Sequence, residues 1–228
     1  MNNLNSQSSQ WEEYWKKQKA ASQVYGRIAS FYRKFVIAPS VQRTLESFLF
    51  PGALILHAGS GSGEIDVLLP PKWKLIAIDF SSEAVRRHRQ TFLNHCLVSD
   101  SVQADLFRLP FRDGQFMASF NLGVMEHFDD DDVIRALNEL RRVTSNEGRL
   151  VLYWPPIWGP TVIVLHSIAF ILKVLGKSNI QLHPPEINLF RSKKHCRDLL
   201  RAANLEPVKF IYGPTDMFTH IIIIAKHA

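Results

Sequence analysis

At 228 residues with 46% hydrophobic residues, the chain is long enough to bury one substantial core, and its composition does not predict two independent domains. The formal net charge of +6 is compatible with an anionic partner such as a membrane surface or an acidic substrate, but the basic clusters fall on predicted helices, where a solvated face is the commoner explanation. The two cysteines, Cys96 and Cys196, form no C-x-x-C pair, which argues against a disulfide framework or a metal site and favours a reducing compartment.

The first ten residues lack the basic-then-apolar order of a signal peptide, so we expect a cytoplasmic protein. The longest apolar run, Thr161 to Leu175, is interrupted by His166 and Lys173. It is also shorter than the roughly 20 residues that a membrane-spanning helix needs. We therefore expect no transmembrane segment and at most peripheral contact with a membrane.

The N-terminal part of the chain predicts a helical extension. From Trp11 to Tyr32, aromatic residues recur at helical spacing with lysines and glutamates between them. A helix pair that covers one sheet edge explains this pattern as well as a ligand-binding role for Tyr25 and Tyr32 does. A further helix, Ser40 to Phe48, leads to a turn that introduces the first strand.

A glycine-rich turn follows the first predicted strand. Gly59, Gly61 and Gly63 alternate at the end of an apolar run, as in a strand that turns sharply and passes close to a ligand. Asp79 ends the next predicted strand, 20 residues after Gly59. A carboxylate at that spacing can accept hydrogen bonds from both ribose hydroxyls of a nucleoside. The sequence therefore predicts a nucleoside-type cofactor pocket.

The glycine spacing separates two classes of cofactor. Dinucleotide-binding turns read G-x-G-x-x-G and face a pyrophosphate, whereas this turn reads G-x-G-x-G. We expect Glu64 and Asp66, at the start of a predicted helix, to repel a pyrophosphate. A nicotinamide-dependent oxidoreductase therefore stays only a weak alternative.

Strands and helices alternate along the chain, which predicts an α/β fold with a single doubly wound, mostly parallel seven-stranded sheet. The predicted strands are Ala53–Leu56, Leu75–Ile78, one near Val102, Met117–Asn121, Arg149–Tyr153, Val208–Tyr212 and Ile221–Ile224. The predicted helices are Glu64–Leu69, Ser82–Leu93, one ending near Val143, and Ser192–Ala203. Ser81 is expected to cap the N-terminus of the second of these helices, and the acidic run Asp129 to Asp132 is expected to interact favourably with the dipole of the helix that follows it.

The glycine turn together with Ile78-Asp79-Phe80-Ser81 resembles class I S-adenosylmethionine-dependent methyltransferases, of the small-molecule type whose best-known members methylate quinones. The resemblance covers Tyr25 to Tyr153 well and the rest loosely. It implies a Rossmann-like methyltransferase fold with S-adenosyl-L-methionine as the cofactor. It also implies three parts: an N-terminal helical cap (1–50), the cofactor-binding domain (51–228), and within it a helical lid after the fifth strand (157–190).

The resemblance extends to two further segments. Asp105 and the residues through Leu109-Pro110-Phe111 are similar, almost position for position, to the family's adenine-binding motif, although a loop aspartate can also simply end a strand. The strand end at Asn121 approaches the cofactor in the family. The implied cofactor contacts are Tyr25, His57, Gly59, Ser60, Gly61, Gly63, Asp79, Phe80, Ala104, Asp105, Leu106, Asn121, Leu122 and Gly123.

The predicted catalytic base is His127, with His183 and Glu126 as the next candidates. His127 follows the fourth strand, and an ordinary imidazole titrates near neutral pH, which suits proton removal. A structural role is nevertheless the commoner one for a lone histidine.

Two features depart from the family pattern. The family usually carries an acidic residue at the position of His57, where it helps to organise the cofactor's amino-acid end, and a histidine there lacks that charge. Relatives that methylate nucleic-acid bases carry Asn-Pro-Pro-aromatic at the fourth strand end, where this chain has Asn121-Leu122-Gly123-Val124. We therefore expect no nucleic-acid partner. A monomer or homodimer is the expected oligomeric state.

The leading hypothesis is methyl transfer by direct displacement to a small, partly apolar acceptor. Thr161 to Leu175 is apolar nearly all round, which favours a lid that faces an apolar acceptor or a membrane over ordinary core, because His166 and Lys173 would need buried partners. The alternative from another class is a non-catalytic partner or regulatory subunit, based on His57 and on the aromatic N-terminal extension.

Overall fold

The computed structural model describes residues 12, 29–98, 100–160, 162–163 and 186–228. They form one seven-stranded sheet with helices on both faces, as predicted. The strands are β1 Leu54–Ala58, β2 Lys74–Asp79, β3 Ser101–Gln103, β4 Phe116–Leu122, β5 Thr144–Trp154, β6 Leu205–Ile211 and β7 Ile221–His227. The α-helices in this part of the chain are α1 Ala38–Glu46, α2 Ser82–Asn94, α3 Asp130–Val143 and α4 Lys193–Ala202.

The strand order is β3-β2-β1-β4-β5-β7-β6. The first five strands pair in parallel, and β7 is antiparallel to both of its neighbours. The isoleucine run at the start of β7 suits this central position, because β-branched side chains pack well on both faces of a sheet. The prediction of a mostly parallel sheet is confirmed.

Two apolar clusters cover the two faces of the sheet. One cluster joins Leu56, Ile78 and Leu150 to buried side chains of α3 and α4. The other joins Ile55, Phe120 and Val151 to Val41 and Leu45 of α1. Successive strand residues point to opposite faces, which is why neighbours such as Ile55 and Leu56 belong to different clusters.

Side-chain caps fix where the helices begin. Ser81 accepts a hydrogen bond from the backbone N–H of Ala84 at the start of α2, and Asp129 accepts one from Asp132 at the start of α3. These caps satisfy backbone donors that a first helical turn leaves unpaired. The predicted Ser81 cap is therefore confirmed, and the structure shows that Asp129 caps α3.

The predicted helix Glu64–Leu69 is wrong. The chain there forms only a short 3-10 helix, Asp66–Leu68, and then runs into Pro70 and Pro71. A stretch this short before a proline pair cannot repay the cost of starting an α-helix. The side chain of Asp66 also turns inward and is fully buried.

Residues 161 and 164–185 of the predicted lid segment lie outside the described residues, but both of its ends are described. Phe190 donates its backbone N–H to Pro155 at 2.9 Å, and Ile157 donates to Phe190 at 3.2 Å. Ile187 and Asn188 both donate backbone N–H groups to the carbonyl of Glu126, at 2.8 and 2.9 Å. The segment 157–190 therefore leaves and rejoins the fold at the carboxyl ends of β4 and β5.

In the described part of the chain, no helix is both long enough and apolar enough to cross a membrane.

Candidate functional site

The carboxyl ends of β1, β2 and β4 lie side by side, because these three strands are adjacent and parallel. Ala58 at the end of β1 is in register with Ile78 of β2 and Asn121 of β4. The strand order reverses between β1 and β4, and open α/β sheets bind their ligands at such a switch point. The predicted cofactor residues of all three strand ends therefore meet at one edge.

The glycine turn after β1 requires glycine at each alternate position. Gly59, Gly61 and Gly63 have φ values of +76°, +55° and +72°, a left-handed region that other residues adopt at a cost. A Cβ on Gly59 would lie 2.5 Å from Cγ2 of Val124, which packs over the turn from beyond β4. Two hydrogen bonds to the carbonyl of Ile78, from Gly59 and Ser60, tie the turn to β2.

Asp79 fastens the same turn from the side of β2. Its Oδ2 accepts a hydrogen bond from the N–H of Gly61 at 3.0 Å, and its Oδ1 accepts one from Ser81 at 2.9 Å. Burial raises the pKa of Asp79, and the two backbone donors oppose that effect. Each carboxylate oxygen has a second lone pair, so Asp79 retains the capacity to accept from two ribose hydroxyls.

The predicted adenine loop lies beside Asp79. The N–H of Ala104 donates to the backbone carbonyl of Asp79 at 3.0 Å, which brings Ala104 to Leu106 next to the end of β2. Asp105 is exposed and accepts a hydrogen bond from the N–H of Phe107 through Oδ1, while Leu106 is buried. The loop aspartate thus shapes its own turn and keeps Oδ2 available to a ligand amine.

The end of β4 carries the least satisfied polar group at this edge. Asn121 is fully buried, and neither its Nδ2 nor its Oδ1 has a hydrogen-bond partner in the described structure. Leu122 and Gly123 follow it, half-buried, and Gly123 has a φ of +67°. A buried amide without partners costs free energy unless a ligand or water satisfies it.

The predicted acid–base pair follows on the short 3-10 helix Met125–His127. Oε1 of Glu126 would lie 3.2 Å from a Cβ on Gly123, so its carboxyl is next to the β4 end. Its Oε2 is buried without a hydrogen-bond partner in this part of the chain, and Nε2 of His127 is 3.9 Å from Oε1. Burial raises the pKa of Glu126 to about 8, so this carboxyl is mostly protonated at neutral pH.

His57 is buried beneath the glycine turn. Its Nδ1 is 2.7 Å from Oδ1 of Asp66, and its ring stacks on Phe120 with the ring centroids 4.3 Å apart. The carboxylate of Asp66 is therefore buried beneath the turn, and its expected repulsion of a pyrophosphate stays a prediction. Tyr25 and His183 lie outside the described residues.

Phe80 and Ser60 complete the predicted set. Phe80 is half-buried beside Asp79, and the buried Oγ of Ser60 has no hydrogen-bond partner among the described residues. The structure describes every predicted cofactor contact except Tyr25. These residues all lie in β1, at the ends of β2 and β4, in the glycine turn or in the adenine loop.

The sequence reasoning missed how the N-terminal extension reaches this edge. Glu12 accepts hydrogen bonds from the hydroxyls of Ser81 and Ser82, directly after Asp79 and Phe80. Arg33 forms an ion pair with Glu64 of the glycine turn at 3.0 Å. A glutamate within the predicted aromatic helices, such as Glu12, gives no signal in the sequence of such a contact.

The hydroxyl of Tyr32 is bound just before the start of β7, where Ile221 pairs with Trp154 at the carboxyl end of β5. Its hydroxyl contacts Thr219 and lies 3.4 Å from the carbonyl of Asp216, in the turn before β7. Burial raises the pKa of Tyr32 to about 12. Its predicted ligand role is therefore limited to the ring.

A family model described as a methyltransferase domain matches residues 56–152. The ubiquinone/menaquinone biosynthesis C-methyltransferase UbiE of Burkholderia ambifaria is 25% identical over 87% of this chain and 89% of its own length. The magnesium protoporphyrin IX methyltransferase ChlM of Synechocystis PCC 6803, solved with bound S-adenosylhomocysteine, shares the fold with a TM-score of 0.65. It is 17% identical, covering 91% of this chain and 89% of the other.

Gly59→Ala should weaken binding of S-adenosylhomocysteine at least tenfold. The left-handed φ costs about 1–2 kcal/mol for a residue with a Cβ, and the new methyl group must also displace Val124. Isothermal titration calorimetry measures the affinity, and thermal melting measures stability.

Gly52→Ala is the matched control, because Gly52 has a φ of +86° and a Cβ added there would have no other atom within 4 Å. It should lower the melting temperature and leave the affinity within twofold. Equal affinities for Gly59→Ala and the wild type would show that the turn does not approach the cofactor.

Glu126→Gln should stabilise the protein progressively as the pH rises. The pKa of Glu126 is about 8 when folded against an ordinary 4.5, so unfolding releases a proton between these values and the free energy of unfolding falls with pH. The fall is at most about 1.4 kcal/mol per pH unit. Glutamine cannot release a proton, so the variant lacks this loss.

Urea denaturation at pH 5, 6.5, 8 and 9 measures this difference, with the exposed Glu147→Gln as the control. The stability gain of Glu126→Gln over wild type should grow up to about pH 8 and then stay constant, while Glu147→Gln shows no trend. A gain that is the same at all four pH values would contradict a raised pKa.

Proposed function

Because this chain is a class I S-adenosylmethionine-dependent methyltransferase, we propose that it transfers the methyl group to a small, partly apolar acceptor by direct displacement. S-adenosylmethionine supplies a methyl group on a sulfonium, which is electrophilic without further activation. The protein's contribution is then to bind the cofactor, align the acceptor and exclude water.

We propose that the cofactor lies across the strand ends in the order of the sheet. The adenine would contact Ala104, Asp105 and Leu106 after β3, and the ribose would contact Asp79 at the end of β2. The amino-acid end would lie over the glycine turn and the end of β4. This order follows the strand sequence β3-β2-β1-β4.

The observation that carries this proposal is a set of buried polar atoms without hydrogen-bond partners in the described structure. They are Nε2 of His57, Oγ of Ser60, and both Nδ2 and Oδ1 of Asn121. The set contains donors and acceptors together, which is what the ammonium and carboxylate of an amino acid require. Buried polar atoms are normally paired, so their concentration at one edge supports a polar ligand there.

The acceptor is proposed to bind on the opposite side of β4, at the base of the segment 157–190. Ile157, Trp158 and Ile187 are between 45% and 57% exposed there, close to Glu126. An exposed apolar patch beside a cofactor edge fits an acceptor with an apolar part. The proposed lid face, with Ile168 and Phe170, lies outside the described residues.

The relatives support the same class of acceptor. UbiE is named for ubiquinone and menaquinone biosynthesis, and it aligns with 87% of this chain. We therefore propose a hydroxylated aromatic ring with an apolar substituent as the acceptor. The nucleophile is an oxygen, nitrogen or carbon atom of this acceptor.

His127 is the proposed base for an acceptor that carries a proton. Glu126 is fully buried and mostly protonated at neutral pH, so it fits a hydrogen-bond donor beside His127 better than a base. His183, the third candidate, lies outside the described residues.

We propose that the chain divides into a cap (1–50) and a cofactor domain (51–228) that contains a lid (157–190). The ion pair of Arg33 with Glu64 supports the cap, and the contacts of the two lid ends near the ends of β4 and β5 support the lid. Both cysteines are free, which fits the cytoplasm. A monomer or homodimer with at most peripheral membrane contact stays a prediction.

Asp79→Ala should weaken S-adenosylhomocysteine binding by about 1.5–3 kcal/mol, because a carboxylate that accepts two ribose hydroxyls is lost. Asp79→Asn should lose less, since it keeps one acceptor oxygen. Isothermal titration calorimetry on folded protein measures both.

Asp113→Ala is the control, because Asp113 is exposed and lies before β4 at the opposite edge of the sheet. It should bind as the wild type does. If S-adenosylhomocysteine gives no heat of binding with folded wild-type protein, the proposed cofactor site is contradicted. If Asp79→Ala binds it with unchanged affinity, the proposed ribose contact is contradicted.

Methyl transfer from radiolabelled S-adenosylmethionine tests the acceptor class, with hydroquinones that carry or lack an isoprenoid tail beside a sugar and a thiol. We expect turnover with the hydroquinones and a lower Michaelis constant for the tailed one. His127→Ala should lower turnover and leave S-adenosylhomocysteine affinity within twofold, because it removes only the base.

Turnover confined to the sugar or the thiol would contradict an apolar acceptor. A His127→Ala variant that loses cofactor affinity and turnover together would show a structural role for this histidine.

A further inference from the structure

Three titratable side chains form a buried cluster beneath the glycine turn. Oδ1 of Asp66 is 2.7 Å from Nδ1 of His57, and Oδ2 is 2.9 Å from Nε2 of His88. All three residues are at most 4% exposed. Burial acts to raise the pKa of Asp66, but the two histidines overcome that effect and lower it to about 2. A buried, ionised carboxylate therefore joins β1 to α2.

The cluster is in contact with the turn itself. A Cβ on Gly63 would lie 2.6 Å from Cδ2 of His88, so this ring packs directly against the turn's backbone. Asp66 follows Gly63 by three residues and begins the 3-10 helix. No regular helix anchors this part of the turn, and the two hydrogen bonds of Asp66 do so instead.

The hydrogen bond of Asp66 determines which nitrogen of His57 carries the proton. An ionised carboxylate only accepts, so Nδ1 of His57 must donate, and in the neutral ring Nε2 then carries the lone pair. A second proton on Nε2 would be a buried donor with no acceptor in the described structure, which is unfavourable. Stacking on Phe120 fixes the plane of the ring.

The position of the ring indicates which part of the cofactor can donate to Nε2. Phe120, on which His57 stacks, belongs to β4 and precedes Asn121, whereas the proposed ribose and adenine contacts belong to β2 and β3. The remaining donor of S-adenosylmethionine is its ammonium group. A neutral nitrogen lone pair suits an ammonium, and a negative charge behind the ring strengthens that bond.

We propose that Asp66 is a positioning residue for cofactor binding: it holds His57 with Nδ1 protonated, so that Nε2 accepts from the cofactor's ammonium group, and it supplies the negative charge behind that bond. The inference rests on the proposed cofactor contact of His57. His88 holds the second oxygen of Asp66 and keeps the carboxylate in the plane that His57 needs.

Asp66→Asn tests the proposal, with two ligands compared by isothermal titration calorimetry. S-adenosylhomocysteine carries the amino-acid end, and 5′-methylthioadenosine lacks it. We expect the variant to lose at least tenfold in affinity for S-adenosylhomocysteine and less than twofold for 5′-methylthioadenosine. Equal loss for both ligands would overturn the proposal, because Asp66 would then only support the turn.

A charge exchange keeps the test decisive if Asp66→Asn is unstable. The double variant His57→Asp/Asp66→His places the carboxylate on β1 and the imidazole behind it, and it should restore S-adenosylhomocysteine affinity to within threefold of wild type. Affinity as low as that of His57→Asp alone would overturn the pairing. Wild-type protein that binds neither ligand would instead contradict the proposed function itself.

A nitrogen-15 spectrum of the wild-type histidines supplies a readout that stability does not move. The signals of His57, assigned by their loss in His57→Gln, should show a protonated Nδ1 and a bare Nε2. S-adenosylhomocysteine should shift Nε2, and 5′-methylthioadenosine should not. A protonated Nε2 in the free protein would overturn the proposal.

His227→Ala is the matched control, because Nε2 of His227 donates to the backbone carbonyl of Thr144 at the opposite edge of the sheet. It should lower the melting temperature and leave both affinities unchanged.

Discussion

The parallel pairing of β1 with β4 is the constraint on which the site depends. It places Ala58 beside Asn121 and lets Val124, beyond β4, pack on Gly59, beyond β1. On one side of β1 the sheet continues with β2 and then β3. On the other side it continues with β4 and then β5. The loops that follow β1 and β4 therefore diverge and leave a crevice between them. A one-residue shift in this register would turn Asn121 to the other face and separate it from the turn.

The turn in that crevice is held by buried charge more than by helical structure. Asp79 accepts two backbone N–H groups, and Asp66 accepts from two histidines. Burying a carboxylate is costly, and the cost is offset only where donors surround it. The two aspartates therefore fix the turn from both sides, and they also bring negative charge to the edge where we propose that the cationic cofactor binds.

The sheet and the glycine turn could be predicted from the sequence because their signals are local: apolar runs, alternating glycines and acidic strand ends. The helix after the turn could not, since Pro70, Pro71 and the burial of Asp66 override the local pattern. The cluster of His57, Asp66 and His88 joins residues that lie up to 31 positions apart in the sequence. The hydrophobic periodicity of the sequence does not predict such a tertiary contact. The same holds for Glu12, which lies about 70 residues from its serine partners.

The hypothesis of a non-catalytic subunit depended on His57 as the loss of an acid and on the aromatic N-terminal extension. The structure places an ionised carboxylate one imidazole ring behind that position. In a partly buried site, a unit charge moved from about 4 Å to about 8 Å from its partner keeps roughly half of its interaction energy, from about 4 to about 2 kcal/mol. The intervening imidazole is polarised by the carboxylate and accepts more strongly for it. The substitution therefore displaces the negative charge and does not remove it, so histidine at this position is no argument against catalysis.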